Sequence, residues 1–97
     1  MAVKVIGLIK LTDHSAFEQY RALVGKTVEQ YKGSIEFRGS LTEVFWNELG
    51  CEAFSACVEL HFSNKEAANA WAHSAEYQNL LKIRSQAMKL TLFGVEG

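Results

Sequence analysis

The sequence contains no proline, only two cysteines and almost no excess charge. Without proline, the boundaries of helices and strands have to be inferred from hydrophobic periodicity and capping residues. A net charge of -1 gives no field that would attract a phosphate backbone, so nucleic acid is not an expected partner. The unbroken apolar runs are far shorter than the roughly 20 residues of a membrane-spanning helix, so no membrane association is expected either.

The few cysteines and histidines are not spaced for a disulfide or a metal site. Cys51 and Cys57 would lie about 20 Å apart along one extended strand, which is too far for an intrachain disulfide. His14, His61 and His73 lack the i, i+4 spacing of zinc ligands, and no Cys-x-x-Cys pair accompanies them. We therefore expect no metal. No fingerprint of haem or flavin binding is present, and no cofactor is expected.

The chain length and composition are typical of a small globular protein. Its 97 residues suffice for one domain, which we expect to span residues 1–97 around one hydrophobic core. The apolar opening, MAVKVIGLI, lacks the longer hydrophobic region and cleavage site of a secretory signal, so we interpret it as the first strand. A cytoplasmic location is the default expectation.

Four stretches have the alternating or β-branched pattern of strands: residues 2–11, 34–48, 54–62 and 89–95. The second stretch is too long for one regular strand, because fifteen extended residues would run about 50 Å. Gly39 is therefore expected to bend or bulge it. The turn that follows is placed at Leu49-Gly50-Cys51.

A first helix is predicted between the first two strands. Apolar residues from Phe17 to Tyr31 recur at spacings of three or four, as on the buried side of a helix. Either Asp13 or Ser15 is the N-cap, and Ser15 would form a capping box with the glutamate three positions later. Gly33 is expected to end this helix.

A second helical region is predicted to consist of two helices that meet at His73 and Ser74. In SNKE, Ser63 and Glu66 would form a capping box for the first of them. Ser74 would cap the second. The buried side of the two helices is expected to comprise Ala67, Ala70, Trp71, Tyr77, Leu80, Leu81, Arg84 and Met88.

The order β-α-β-β-α-β predicts an α+β fold, a ferredoxin-like sandwich with a four-stranded antiparallel sheet and helices on one face. The other face would carry Ile6, Leu8 and parts of the second and fourth strands. Covering this apolar face with a second copy would contribute about 5 kcal/mol per subunit before the cost of association is counted. We therefore predict a homodimer in which sheet faces sheet.

Several stretches resemble the small bacterial family described as domain of unknown function 1330. They are EFRGS after YKG, the segment VELHFSNKEAANAWAHSAEYQNLLKIR, and the closing VEG. The resemblance covers essentially the whole chain. Its most specific parts are the Arg38-Gly39 step and the spacing of Trp71, Ser74, Glu76, Tyr77 and Arg84. It implies a dimeric α/β barrel, in which two ferredoxin-like sheets meet across a two-fold axis, and it implies no established activity.

Arg38, Glu59 and His61 are the candidate catalytic residues. If the even positions of the third strand face the helices, then Cys57, Glu59 and His61 project to the opposite face. Hairpin pairing would place Arg38 on that face, roughly opposite His61. The functional interpretation is a cationic anchor for a carboxylate or enolate, with His61 as acid or base. The structural interpretation, which we favour, is an ion-pair network at the subunit interface.

The candidate ligand-binding residues are Arg38, Trp46, Cys57, His61, Ser74, Tyr77 and Arg84. Tyr77, like Trp71, is more typical of a core position. A helix that starts at Ser74 would offer free N–H groups to an anion. Cys57 is more typical of inert packing than of a nucleophile.

Arg84 and Trp46 leave alternatives open. Arg84 lies within an apolar helix face, where a guanidinium needs a partner such as Glu76 or a place in the pocket. Trp46, with Phe45, would either cover the pocket or clasp the neighbouring subunit.

Two functions fit these residues. One is a homodimer that binds a small anionic or aromatic molecule, with a cofactor-free monooxygenase or isomerase as its catalytic form by fold analogy. The alternative is a non-catalytic ligand-sensing or interaction module. An enclosed cavity of about 300 Å³ or more, reached by Arg38 and His61, would favour the first. A sheet interface that is packed shut would favour the second.

Overall fold

A computed structural model describes all 97 residues of the chain. Its elements are β1 (Val3–Leu11), α1 (His14–Gln30), β2 (Ser34–Ser40), β3 (Ala56–Phe62), α2 (Lys65–Ala72), α3 (Ala75–Gln78), α4 (Leu81–Ala87) and β4 (Met88–Glu96). The strands form one antiparallel sheet in the order β2-β3-β1-β4. The predicted α+β sandwich is confirmed. The second helical region differs from the prediction, because it contains three short helices and not two, Met88 already begins β4, and Ala70 is exposed. None of the helices has the length and apolar content that a membrane span would require.

The two faces of the sheet differ in what covers them. On the face that meets the helices, which we call the covered face, Val5 of β1 is 5% exposed and Leu60 of β3 is 4% exposed. The opposite, open face carries Lys4, Ile6, Leu8, Lys10, Phe37, Cys57, Glu59, His61, Thr91, Phe93 and Val95, as the strand registers show. Because side chains alternate along a strand, this division follows directly from the predicted period of two.

The core between the helices and the covered face is built around Trp71, Phe62 and Val28, which are fully buried. The ring centroids of Trp71 and Phe62 lie 5.5 Å apart. The indole Nε1–H of Trp71 donates to Thr27 Oγ1 at 3.0 Å, and that hydroxyl donates to a carbonyl one turn earlier in α1. Because its N–H is paired, the indole can be buried without an unsatisfied polar group.

Neither predicted capping box forms, although Asp13, one of the two predicted N-caps of α1, is confirmed. Asp13 caps α1, and its carboxylate accepts from a first-turn N–H at 3.0 Å, so Ser15 is already inside the helix. Asn64, not Ser63, caps α2 by accepting from a first-turn N–H at 2.8 Å. The predicted cap at Ser74 is confirmed.

The end of α1 also differs from the prediction. The helix stops at Gln30, and Lys32, not Gly33, adopts the left-handed conformation with a φ of 61°. The N–H of Gly33 donates back to the carbonyl of Val28 at 3.0 Å, which closes the last turn. Gly33 is required for space, since a Cβ there would lie 2.5 Å from the ring of Phe62.

The second strand is shorter than predicted. β2 ends at Ser40, and residues 41–54 form a loop whose turn places Gly50 at a φ of 72°. The pairing with β3 shifts between Ile35 and Phe37, so the irregularity lies there and not at the predicted Gly39. This shift changes which side chains of β2 face the helices.

Candidate functional site

A cavity of about 230 Å³ lies between α1 and the covered face of the sheet. Of its 17 lining residues, 13 are hydrophobic. The lining consists of Ile9, Phe17, Tyr20, Arg21, Val24, Ile35, Arg38, Gly39, Ser40, Ala56, Cys57, Val58, Leu60, Trp71, Met88, Leu90 and Leu92. The cavity is smaller than the 300 Å³ set as the criterion for the first function, and it is reached by Arg38 but not by His61. It nevertheless exceeds the roughly 150 Å³ that suffices for benzene.

Two arginines line this cavity, and they differ in how they are paired. Arg21 lies 3.4 Å from the carboxylate of Glu18 and over the ring of Phe17 at 5.6 Å. Arg38 is exposed and forms neither an ion pair nor a side-chain hydrogen bond within the chain. Arg38 therefore supplies an uncompensated positive charge at the rim of an apolar cavity.

Tyr20 lines the cavity, and its hydroxyl is one end of a short hydrogen-bonded chain. Its oxygen lies 2.9 Å from that of Tyr77, and Arg84 donates from Nη1 to Tyr77 Oη at 2.9 Å. Burial, the largest cause, raises the pKa of Tyr20 well above its usual value, and the charges of Arg84 and Arg38 oppose this rise. The Tyr20 hydroxyl is therefore neutral at physiological pH.

The joint between α2 and α3 holds Tyr77 in this chain. Ser74 Oγ accepts from the N–H of Tyr77 at 3.1 Å and donates to the carbonyl of Trp71 at 2.7 Å. The rings of Trp71 and Tyr77 pack with centroids 4.4 Å apart. Both aromatic residues are thus core residues as predicted, and their packing fixes the position of the Tyr77 hydroxyl.

The predicted arrangement of Arg38, His61 and Glu59 is wrong. The shift near the start of β2 moves Arg38 to the covered face, where it pairs with Val58, whereas His61 and Glu59 stay on the open face. Glu59 forms an ion pair with Lys4 at 2.8 Å, which holds the pKa of that lysine above its usual value. The structure therefore separates the candidate anchor from the candidate acid or base.

The other candidate residues are divided among several places. Cys57 borders the cavity. Tyr77 and Arg84 do not line it, but they are hydrogen-bonded to each other and Tyr77 contacts Tyr20 of the lining. Trp46 is 83% exposed on the loop of residues 41–54, and Ser74 is buried as a cap. Arg84 pairs with Tyr77 and not with Glu76, which instead accepts from the hydroxyl of Tyr31 at 2.7 Å.

The sequence analysis missed Tyr20, Arg21 and Ser40 as residues of the cavity, and Tyr20 is the one whose hydroxyl is buried. In the sequence it belongs to the apolar stripe of α1, where an aromatic residue is typical of a core. Its polar tip was the only signal, since a buried tyrosine hydroxyl needs a partner. That partner, Tyr77, lies 57 positions further along the chain.

The polar side chains of the lining are hydrogen-bond donors or cations, and no base is among them. The lining contains no carboxylate and no imidazole, and its polar side chains are those of Tyr20, Arg21, Arg38 and Ser40, since the side chain of Cys57 belongs to the open face. Such a wall donates hydrogen bonds and attracts negative charge, but it offers no ordinary base at neutral pH. Nowhere in the chain do three histidine, cysteine, aspartate or glutamate side chains lie close enough to hold a metal ion.

The sequence matches the family model of a domain of unknown function, DUF1330, over residues 3–97. No curated protein has a significant sequence match to the chain. Solved structures do share its fold. RPA0582, a protein of unknown function from Rhodopseudomonas palustris, superposes with a TM-score of 0.77 at 14% identity, covering 99% of this chain and 82% of that one.

Two further structures describe the range of proteins with this fold. A dimeric ferredoxin-like protein of unknown function from Jannaschia sp. CCS1 has a TM-score of 0.69 at 11% identity, with full coverage of both chains. SnoaB, a cofactor-independent oxygenase from Streptomyces nogalater, has a TM-score of 0.72 at 9% identity, covering 99% of this chain and 92% of that one. The predicted ferredoxin-like fold is thereby confirmed. At these identities the likeness concerns the fold alone.

Proposed function

The chain belongs to the DUF1330 family, a domain of unknown function, and from this premise we propose that it binds a small organic molecule in the cavity under α1. The ligand has an apolar body, aromatic or aliphatic, and a negatively charged group. The observation that carries this proposal is Arg38, an arginine without a partner at the rim of a largely hydrophobic cavity. A guanidinium in such a position is suited to bind a carboxylate.

The two arginines of the lining provide the test. Arg38→Met removes the unpaired charge, while Arg21→Met removes a charge that Glu18 already balances. Binding of benzoate, followed by chemical-shift changes in an NMR titration, should weaken about tenfold or more in Arg38→Met and change little in Arg21→Met. Equal loss in both variants, or no binding to the unaltered chain, would reject the proposal.

The proposal includes a homodimer that is formed through the open face. That face carries Ile6 and Leu8 at its centre, with Phe93 41% and Val95 46% exposed in the single chain. The dimeric protein from Jannaschia, with the same fold, supports a dimer by analogy. Phe93→Glu should convert the dimer to a monomer in analytical ultracentrifugation, because a carboxylate would have to be buried. A monomeric unaltered chain would refute this part.

Binding without reaction is the form of the proposal that the lining supports best. SnoaB is a cofactor-independent oxygenase, and the shared fold makes such a reaction the second candidate. A reaction that begins with removal of a substrate proton needs a base, and neither a carboxylate nor an imidazole lines this cavity.

The two free cysteines fit the expected cytoplasmic location, where thiols stay reduced.

A further inference from the structure

The hydrogen-bonded chain of Arg84, Tyr77 and Tyr20 contains one proton more than the protein can accept. Arg84 has only donors, so Tyr77 Oη is the acceptor in the contact of 2.9 Å between them. Tyr77 and Tyr20 each bring one hydroxyl proton, but only one proton fits between their oxygens, which lie 2.9 Å apart. Neither hydroxyl contacts any other acceptor in the chain. One of the two protons is therefore left over.

The surroundings of the two hydroxyls determine which proton this is. Tyr77 is 2% exposed and does not line the cavity, so a spare proton on its oxygen would be buried without an acceptor. That arrangement costs the desolvation of a donor. Tyr20 lines the cavity, where water or a ligand can accept. The favoured order is therefore Arg84 donating to Tyr77, Tyr77 donating to Tyr20, and the proton of Tyr20 directed into the cavity.

Arg84 strengthens this order. A hydroxyl that accepts from a guanidinium becomes a better donor, because hydrogen bonds in a chain polarise one another. The guanidinium also lies over the ring of Tyr77, with 5.6 Å between its carbon and the ring centroid. Arg84 is therefore a positioning residue that acts on the cavity through Tyr77.

We propose that the cavity selects ligands whose head group is a hydrogen-bond acceptor, above all a small carboxylate, which the hydroxyl of Tyr20 meets as a donor and Arg38 balances in charge. This inference rests on the proposed function and names the ligand class for the same cavity. The apolar remainder of the lining receives the body of the ligand, and the volume of about 230 Å³ accommodates one ring with a short substituent.

Three probes of nearly the same shape separate these contributions. Benzoate presents a charged acceptor, acetophenone a neutral carbonyl, and isopropylbenzene no acceptor. Tyr20→Phe should weaken acetophenone about fivefold and benzoate about tenfold, while isopropylbenzene binds as before. Dissociation constants are measured by NMR titration of the full chain. Since each probe is compared between variants, differences in its hydration cancel.

Arg84 gives a second and gentler variant, which keeps the test valid even if Tyr20→Phe does not fold. Arg84→Met should weaken acetophenone about twofold and leave isopropylbenzene unchanged, and Arg84→Lys, which retains a donor, should restore the affinity. A purely structural role of either residue would instead weaken all three probes alike. That result, or unchanged acetophenone binding in Tyr20→Phe, overturns the inference. Failure of all three probes to bind the unaltered chain refutes the proposed function itself.

Discussion

The covered and open faces of the sheet carry similar apolar side chains in very different surroundings. Along β1, Val5 is 5% exposed beneath the helices, and its neighbour Ile6, on the other face, remains partly exposed. At the edge, Phe93 of β4 is 41% exposed, although Phe62 at the end of β3 is fully buried. Apolar side chains of the same strands are thus buried in the core on one face and remain partly exposed on the other.

This difference separates the residues that determine stability from those that determine assembly. On the covered face, the rings and paired hydroxyls around Trp71 are closely packed, so changes to this part of the core should cost stability. On the open face, each apolar residue still has surface to bury, which is the basis of the proposed dimer. Substitutions on the covered face should therefore change the free energy of unfolding, and substitutions on the open face should change association.

The largest change in the free energy of unfolding is expected for a substitution of Trp71, and Trp46 is the matched control. Trp71 is 1% exposed and contacts both Phe62 and Tyr77, so Trp71→Ala should lower the free energy of unfolding by about 3–5 kcal/mol. Trp46 is 83% exposed on the loop, and Trp46→Ala should change the same quantity by less than about 0.5 kcal/mol. Urea denaturation followed by circular dichroism measures both. Comparable losses would show that the loop is part of the folded core.

The second effect concerns two glycines that should respond to alanine with opposite signs. Gly33→Ala would bring a methyl group to 2.5 Å from the ring of the fully buried Phe62, and it should destabilise by about 1–3 kcal/mol. Gly25 lies inside α1, where a Cβ would meet only a side-chain methyl of Ile35, at 3.8 Å. Gly25→Ala should therefore stabilise by about 0.5–1 kcal/mol, through helix propensity. Thermal unfolding should show a lower midpoint for Gly33→Ala and a higher midpoint for Gly25→Ala than for the unaltered chain.

The fold could be predicted because its alternation is local, whereas the details that failed depend on pairing. The period of two in β1 and β3 fixes which side chains share a face, and no tertiary information is needed. The loop of residues 41–54 contains Val44, Phe45 and Trp46, which favour strand, but no neighbouring strand pairs with them. The shift between Ile35 and Phe37 is likewise a property of the hydrogen-bonded pair of strands and has no signature in one sequence.

The sequence identified some residues of the site, but not the face on which they lie or the partners that they contact. Arg38 was identified as an anchor, but a single-residue shift in β2 decides which face it occupies. Arg84 was recognised as needing a partner, yet the partner is a hydroxyl seven positions away and not a carboxylate. Tyr20 meets Tyr77 only because α1 and α3 pack together, which no spacing in the sequence reveals.

A pH effect should distinguish the buried tyrosine from an exposed one. The pKa of Tyr20 is raised, chiefly by burial, above its usual value of 10.0, so above pH 10 the unfolded chain loses a proton that the folded chain keeps. Stability is therefore unaffected by this group below pH 10 and falls as the pH rises further, by at most about 1.4 kcal/mol per pH unit. Tyr20→Phe should show a shallower decline of the unfolding midpoint above pH 10.

Tyr31 is the control for that measurement. A hydrogen bond to Glu76 raises the pKa of Tyr31, but its hydroxyl is exposed to water, which weakens the coupling to folding. Tyr31→Phe should therefore change the alkaline decline less than Tyr20→Phe does. An equal change in both variants would contradict the assignment of the decline to the buried hydroxyl.

The smallest effect on folding, and the sharpest test of the open face, comes from two lysines of β1. Both lysines belong to the open face, since they are even positions of β1. Lys4 pairs with Glu59 at 2.8 Å, whereas Lys10, at the other end of the strand, pairs at 3.0 Å with a carboxylate on the exposed loop. In the single chain both pairs are wet, so Lys4→Met and Lys10→Met should leave the unfolding of the dilute monomer nearly unchanged.

The two lysine variants should nevertheless differ in association. If a second copy covers the open face, Lys4→Met leaves Glu59 unpaired in a surface that loses its water, and the dimer dissociation constant rises severalfold. The carboxylate that Lys10 pairs with is 66% exposed on the loop, so Lys10→Met should have little effect on association. Sedimentation over a range of concentrations gives both constants, and equal values for the two variants would place the Lys4–Glu59 pair outside the interface.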